Sequence, residues 1–107
     1  MSHEITLNEL SPKIRERAAT VVEALPAASF AAGHLPGAVN LPLDRLESDA
    51  KERLPDPDAE IVVYCSDPTC NNSHLAHRKL TAMGYRHVRV FSGGKAAWKD
   101  AGLALEV

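Results

Sequence analysis

Cysteine is scarce in this chain: two residues in 107, Cys65 and Cys70. A disulfide scaffold is therefore not indicated as the source of stability. No run of basic residues exists and the formal net charge is −2. Neither nucleic acid nor an anionic membrane is implied as a partner. No apolar stretch is long enough to span a bilayer, and Met1-Ser2-His3-Glu4 lacks the apolar core of a signal segment. A cytoplasmic, reducing location is the default expectation. There is also no internal repeat, linker or low-complexity stretch. What remains is ordinary globular composition, 45% hydrophobic and 24% charged. That fits one small domain over residues 1–107, able to form a core without covalent staples.

The most informative stretch is Val62-Val63-Tyr64-Cys65-Ser66-Asp67-Pro68-Thr69-Cys70-Asn71-Asn72-Ser73. Ile61 to Tyr64 are β-branched or aromatic without polar alternation, the pattern of a strand covered on both faces. The strand ends at Cys65. A polar loop broken by Pro68 follows, and Asn71, Asn72 and Ser73 are all suited to capping a helix. From there Ala76, Leu80 and Met83 recur at helical spacing, opposite His74, Arg78 and Thr81, and Gly84 supplies a C-cap.

A thiol at the carboxyl end of a central parallel strand sits where open α/β sheets bind ligands. Backbone N–H groups of the loop, together with the helix start, favour negative charge there. The thiolate of Cys65 thus forms more easily than that of a free cysteine and is the candidate nucleophile. The alternative is a small buried hydrophobe at a strand end.

Elsewhere the pattern predicts a short strand over residues 4–7 and a helix over 8–17 despite Pro12. A strand follows over 19–25, stopped by Pro26, then a helical turn over 27–32 and a turn-rich segment over 33–38. A brief strand over 39–41 ends at Pro42. A polar helix over 43–54 is expected to be capped by Asp44. A strand over 87–91 leads through Ser92-Gly93-Gly94 into a last helix over 95–101, ended by Gly102. Gly93 and Gly94 should let that turn approach the Cys65 loop closely. Trp98 and Phe30 read as core aromatics. His34, within Gly-His-x-Pro-Gly, reads as a turn residue making a structural hydrogen bond. Short strands alternating with helices give an α/β sandwich around a mainly parallel sheet.

Four stretches, in order along nearly the whole chain, resemble the single-domain rhodanese-like sulfurtransferase family. They are Phe30-Ala31-Ala32-Gly33-His34-Leu35-Pro36-Gly37-Ala38-Val39-Asn40-Leu41-Pro42, Val62-Val63-Tyr64-Cys65, Met83-Gly84-Tyr85, and Phe91-Ser92-Gly93-Gly94-Lys95-Ala96-Ala97-Trp98. The resemblance implies a three-layer sandwich with helices flanking a mainly parallel sheet. It implies that Cys65 accepts a sulfane sulfur as a persulfide. The donor would be thiosulfate or another persulfide, and the acceptor a thiol, cyanide or a protein thiol. No metal or organic cofactor is implied. Loop amides over Ser66, Asp67, Pro68, Thr69, Cys70, Asn71, Asn72 and Ser73 (Pro68 lacking one) would stabilise the anionic sulfur, as an oxyanion hole does.

The chain departs from the family pattern in two places. The family's Asp-x-Arg at the end of the strand after the first helix is here Glu23-Ala24-Leu25, so the arginine is missing and Glu23 is left a structural role. The loop after the cysteine is also longer, with Pro68 where a glycine is common and Asn72-Ser73 late. Loops of the form Cys-x5-Arg in the same superfamily serve phosphate and arsenate chemistry. That chemistry needs a cation aimed at the oxyanion, but the sixth position after Cys65 is Asn71. Cys70 is either a resolving thiol, forming a disulfide with Cys65 after the persulfide or sulfenate stage, or a residue that lines the pocket. Cys65, Cys70, His74 and His77 are zinc-compatible residue types, but their spacing matches no common structural site. A non-catalytic interaction module is the remaining reading.

Overall fold

The computed structural model describes residues 3–107. Its secondary structure alternates as α1 (Leu7–Glu16), β1 (Thr20–Glu23), α2 (Ala27–Ala32), β2 (Val39–Asn40), a 3₁₀ turn (Leu43–Arg45), α3 (Leu46–Arg53), β3 (Glu60–Tyr64), α4 (Asn72–Ala82), β4 (His87–Phe91) and α5 (Gly94–Asp100). The four strands form one sheet in the order β2-β1-β3-β4, and every pairing is parallel. β3 is thus a central strand, flanked by β1 (Val22 opposite Val63) and by β4 (Val63 opposite Val90).

Side-chain alternation along β3 builds both cores. Ile61 and Val63 join Val22, Leu46, Ala50, Ala76, Leu80 and Val90 on the face covered by α3 and α4. Val62 and Tyr64 join Leu10, Val21, Phe91 and Trp98 on the face covered by α1 and α5. This is the three-layer sandwich expected from the sequence. Each fully buried Ile or Val of β3 stabilises the fold by about 1.5–3 kcal/mol. The strand carrying Cys65 at its end is thereby held on both faces and both edges.

Four local expectations are corrected. The strand predicted over residues 4–7 reduces to a single parallel bridge between Glu4 and Val90. The helix starts early because Thr6 and Glu9 form a capping box: Thr6 Oγ1 accepts from Glu9 N–H, and Glu9 Oε1 accepts from Thr6 N–H. Asp44 caps nothing and lies exposed within the 3₁₀ turn, because Pro42 already occupies the extended position that starts the turn. Asn71 holds the N-cap position of α4 without a side-chain capping bond. Phe30 stays outside both cores and stacks on the His34 ring, with centroids 3.8 Å apart.

Candidate active site

Cys65 follows β3 directly and is buried, with 1% of its surface exposed. The loop from Ser66 to Asn71 turns the chain into α4. Its outer part, Pro68 and Thr69, is exposed, while Ser66, Asp67 and Cys70 are half-buried. Cys65 Sγ is bonded to Cys70 Sγ, across a Cα–Cα distance of 6.4 Å, inside the range of about 4.4–6.8 Å that a disulfide spans. Ser73 Oγ, buried in the first turn of α4, lies 3.8 Å from Cys65 Sγ, and the Cys70 carbonyl oxygen lies 3.3 Å from it. The disulfide sulfur has no proton, so of these two neighbours only the Ser73 hydroxyl can donate to it. The carbonyl opposes negative charge at the sulfur; the hydroxyl and the unpaired N–H groups of the helix start favour it.

Asp67 organises the loop. Its Oδ1 accepts from Thr69 N–H at 2.9 Å and from Thr69 Oγ1 at 2.5 Å, and its backbone oxygen accepts from Cys70 N–H at 3.1 Å. The Thr69 hydroxyl and amide hold its carboxyl below the usual range. The amides of Thr69 and Cys70 are therefore committed within the loop.

The loop's first residues face the other way. The N-terminal amides of α5 donate to it: Lys95 N–H to the Cys65 carbonyl at 3.1 Å and Ala96 N–H to the Ser66 carbonyl at 2.9 Å. Gly94 permits this approach, since a Cβ there would lie 2.5 Å from the Cys65 oxygen, and its φ is +63°. All peptide bonds of the described chain are trans. Carbonyl and N–H of one trans peptide point in opposite directions. With the carbonyls of Cys65 and Ser66 turned toward α5, the N–H groups of Ser66 and Asp67 are aimed away from it.

Asn72 Nδ2 donates to the Ala24 carbonyl at 3.0 Å, tying the far end of the loop to the end of β1. Asn71 is exposed. One cleft reaches the loop at Ser66 and Asp67, beside Lys95 and Lys99; another reaches it at Asn72, beside Pro42 and Lys79. Cys65 lines neither.

A polar network beneath the site was not legible in the sequence as a unit. Glu23 is fully buried. Tyr64 Oη donates to its Oε1 at 2.7 Å, and Lys95 Nζ stands 3.1 Å from Oε2. Tyr64 Oη in turn accepts from Leu35 N–H, and Lys95 Nζ donates to the Ser29 carbonyl. Burial, and then the Glu23 carboxylate, push the Tyr64 hydroxyl pKa up. Glu23 thus joins β1, β3 and the start of α5 through side chains far apart in sequence, and the one lysine near the loop mouth that is largely buried is already paired. His34 makes the structural contact expected of it, Nδ1 lying 2.9 Å from the Phe30 carbonyl. His74 and His77 pack with His3 rather than with the cysteines: the His3 and His77 rings stack at 3.9 Å. Among the described residues, no cluster of three or more His, Cys, Asp or Glu side chains is arranged to hold a metal.

A parallel sheet covered on both faces thus carries a cysteine at the carboxyl end of its central strand, with a loop running from it into the next helix. The family model described as Rhodanese-like domain matches residues 6–101, and the chain belongs to that family. It is 33% identical over 102 residues to the HTH-type transcriptional regulator Rv0324 of Mycobacterium tuberculosis, covering 95% of this chain and 44% of that protein. It is 40% identical over 86 residues to the adenylyltransferase and sulfurtransferase UBA4 of Candida albicans, covering 75% of this chain and 19% of that protein. The chain thus spans less than half the length of either curated relative. Among solved structures, the BH2092 protein of Bacillus halodurans superposes with a TM-score of 0.90 at 27% identity, over 98% of this chain and 77% of that one.

Proposed function

We propose that the chain is a single rhodanese-like domain acting as a sulfurtransferase, with Cys65 as nucleophile and sulfur carrier. The observation that carries this reading is the position of Cys65 Sγ: end of the central strand, 3.8 Å from Ser73 Oγ at the start of α4. In the reduced protein the Cys65 thiolate attacks the outer sulfur of a sulfane donor such as thiosulfate. The donor's sulfur–sulfur bond breaks, sulfite leaves with the bonding pair, and Cys65 carries a persulfide. A thiol, a cyanide-type acceptor or a protein thiol then takes the outer sulfur and restores the thiolate. The Ser66 and Asp67 amides, turned away from α5, and the first amides of α4 supply fixed dipoles for the anionic sulfur. Asn71, Asn72 and the Pro68-Thr69 tip form the remaining wall of the pocket.

Phosphate and arsenate chemistry has less support. No Arg or Lys lies between Cys65 and Ser73. Arg78 is exposed on α4, and Lys95 is engaged by Glu23. One observation favours a second reading, a regulatory module without turnover: the 33% identity with a transcriptional regulator across 95% of this chain.

Steady-state transfer from thiosulfate to cyanide, with prior reduction of the protein, separates the readings. The sulfurtransferase reading expects turnover that Cys65→Ser abolishes. Full turnover by Cys65→Ser, or none by both the reduced wild type and Cys70→Ser, goes against it, and the second outcome favours the module.

A further inference from the structure

The geometry points to a sulfide-releasing activity: Cys70 resolves the Cys65 persulfide, so that the domain reduces a sulfane donor at the expense of an external dithiol. The inference rests on the persulfide reading above and adds the fate of the sulfur. Its basis is the contrast between the two cysteines. In the disulfide form Cys65 is 1% exposed and lines neither cleft at the loop, so an external reductant meets the Cys70 side of the bond first. Cys70 is half-buried in the loop and is bonded to Cys65. The thiol that meets the carrier sulfur most readily is thus one in the same chain. A five-residue separation keeps it at high effective concentration.

The steps balance as follows. The Cys70 thiolate attacks Cys65 Sγ, the inner sulfur of the persulfide. The bond between Cys65 Sγ and the outer sulfur breaks, and the outer sulfur leaves with the electron pair as hydrosulfide. The two cysteines are oxidised to the disulfide, and the sulfane sulfur is reduced to sulfide. A dithiol reductant, in the form of its thiolate, then attacks Sγ of Cys70, the more exposed residue of the pair. Cys65 departs as a thiolate, the better leaving group because Ser73 and the start of α4 stabilise its charge. The second thiol of the reductant displaces Cys70 and closes its own disulfide. With thiosulfate as donor the sum is thiosulfate plus dithiol giving sulfite, hydrosulfide, one proton and a disulfide. An acceptor that takes the persulfide directly competes with Cys70, and the balance between the two routes sets whether the sulfur is passed on or released.

A single-turnover experiment tests this. The protein is reduced, freed of reductant under anaerobic conditions, and exposed to thiosulfate. Sulfite, sulfide and intact mass are followed for the wild type, Cys70→Ser and Cys70→Ala. The wild type is expected to give sulfite and sulfide in equal amounts, ending two hydrogens lighter than the reduced chain. Both variants are expected to give sulfite without sulfide and to end one sulfur heavier. If the wild type gives sulfite but keeps the added sulfur, the resolving role of Cys70 is overturned and the sulfurtransferase reading stands. Sulfide release from both variants at the wild-type rate also overturns it. If no protein releases sulfite, the persulfide reading itself fails with thiosulfate.

Discussion

Replacing Gly94 by alanine perturbs the active loop through backbone alone. Gly94 has φ +63°, and an added Cβ would stand 2.5 Å from the Cys65 carbonyl oxygen, 2.9 Å from Ser66 C and 3.0 Å from Asp67 N. All three are backbone atoms, so no rotamer relieves the contact. The left-handed conformation costs an alanine about 1–2 kcal/mol, and forcing packed atoms apart costs about 1–3 kcal/mol more. Gly102→Ala is the control. Gly102 has φ +80°, and nothing lies within 4 Å of its Cβ position, so only the conformational part applies. Urea unfolding of the two variants should therefore differ by about 1–3 kcal/mol, against a total stability of roughly 5–15 kcal/mol for a domain of this kind. The extra loss comes from separating the amides of Lys95 and Ala96 from the carbonyls of Cys65 and Ser66, so thiosulfate-dependent sulfite release should fall in Gly94→Ala and not in Gly102→Ala. Equal stability losses in the two variants, with unchanged sulfite release, would refute the close-approach argument.

Three further outcomes follow from the same contacts. Tyr64→Phe leaves the Glu23 carboxylate and the Leu35 amide without their hydroxyl partner, and should cost about 2–4 kcal/mol in denaturant unfolding, since buried polar groups lose their bonds. Lys95→Met strands the buried Glu23 charge and should cost about 3–5 kcal/mol; adding Glu23→Gln should recover part of that loss, and a strictly additive double mutant would argue against direct pairing. Burial first, then the charges of His3 and His74, hold the His77 pKa below its ordinary 6.5. The unfolded chain therefore binds a proton at His77 more readily than the native one, and stability should decline as pH falls from above 6.5 through the lower native value. Comparing unfolding at about pH 8 and about pH 5 with His77→Gln should show a flatter dependence in the variant; an unchanged slope would remove His77 as a contributor.

The sequence made β3 legible because a strand buried on both faces carries no polar alternation, and Ile61 to Tyr64 carry none. α2 was legible because Pro26 and Gly33 bracket it. Gly94 was legible as a close-approach residue because paired glycines before a helix have few other uses. The features that local pattern does not reveal are of two kinds, competing short-range signals and long-range pairings. The Thr6–Glu9 capping box is a local signal that cuts the expected strand short and starts the helix at Leu7. The Glu23–Tyr64–Lys95 network is different in kind. Its members come from β1, β3 and α5, and only the parallel register that sets Glu23 opposite Tyr64 brings them together. The missing arginine at position 25 signalled that Glu23 would have other partners, but not which. The histidine group has the same character, since nothing local links His3 to α4. At the site, the strand-end position of Cys65 followed from pattern, whereas the reach from Cys65 to Cys70 depended on how the loop closes around Asp67.

The most direct measurement is the location of transferred sulfur in the Cys70→Ser protein. Reduced and exposed to thiosulfate, it should carry one additional sulfur, mapped by peptide mass analysis to Cys65, with sulfite released in equal amount. The double variant Cys65→Ser/Cys70→Ser should carry none. Absence of the added sulfur from Cys65, or equal loading of the double variant, would contradict Cys65 as the sulfur carrier.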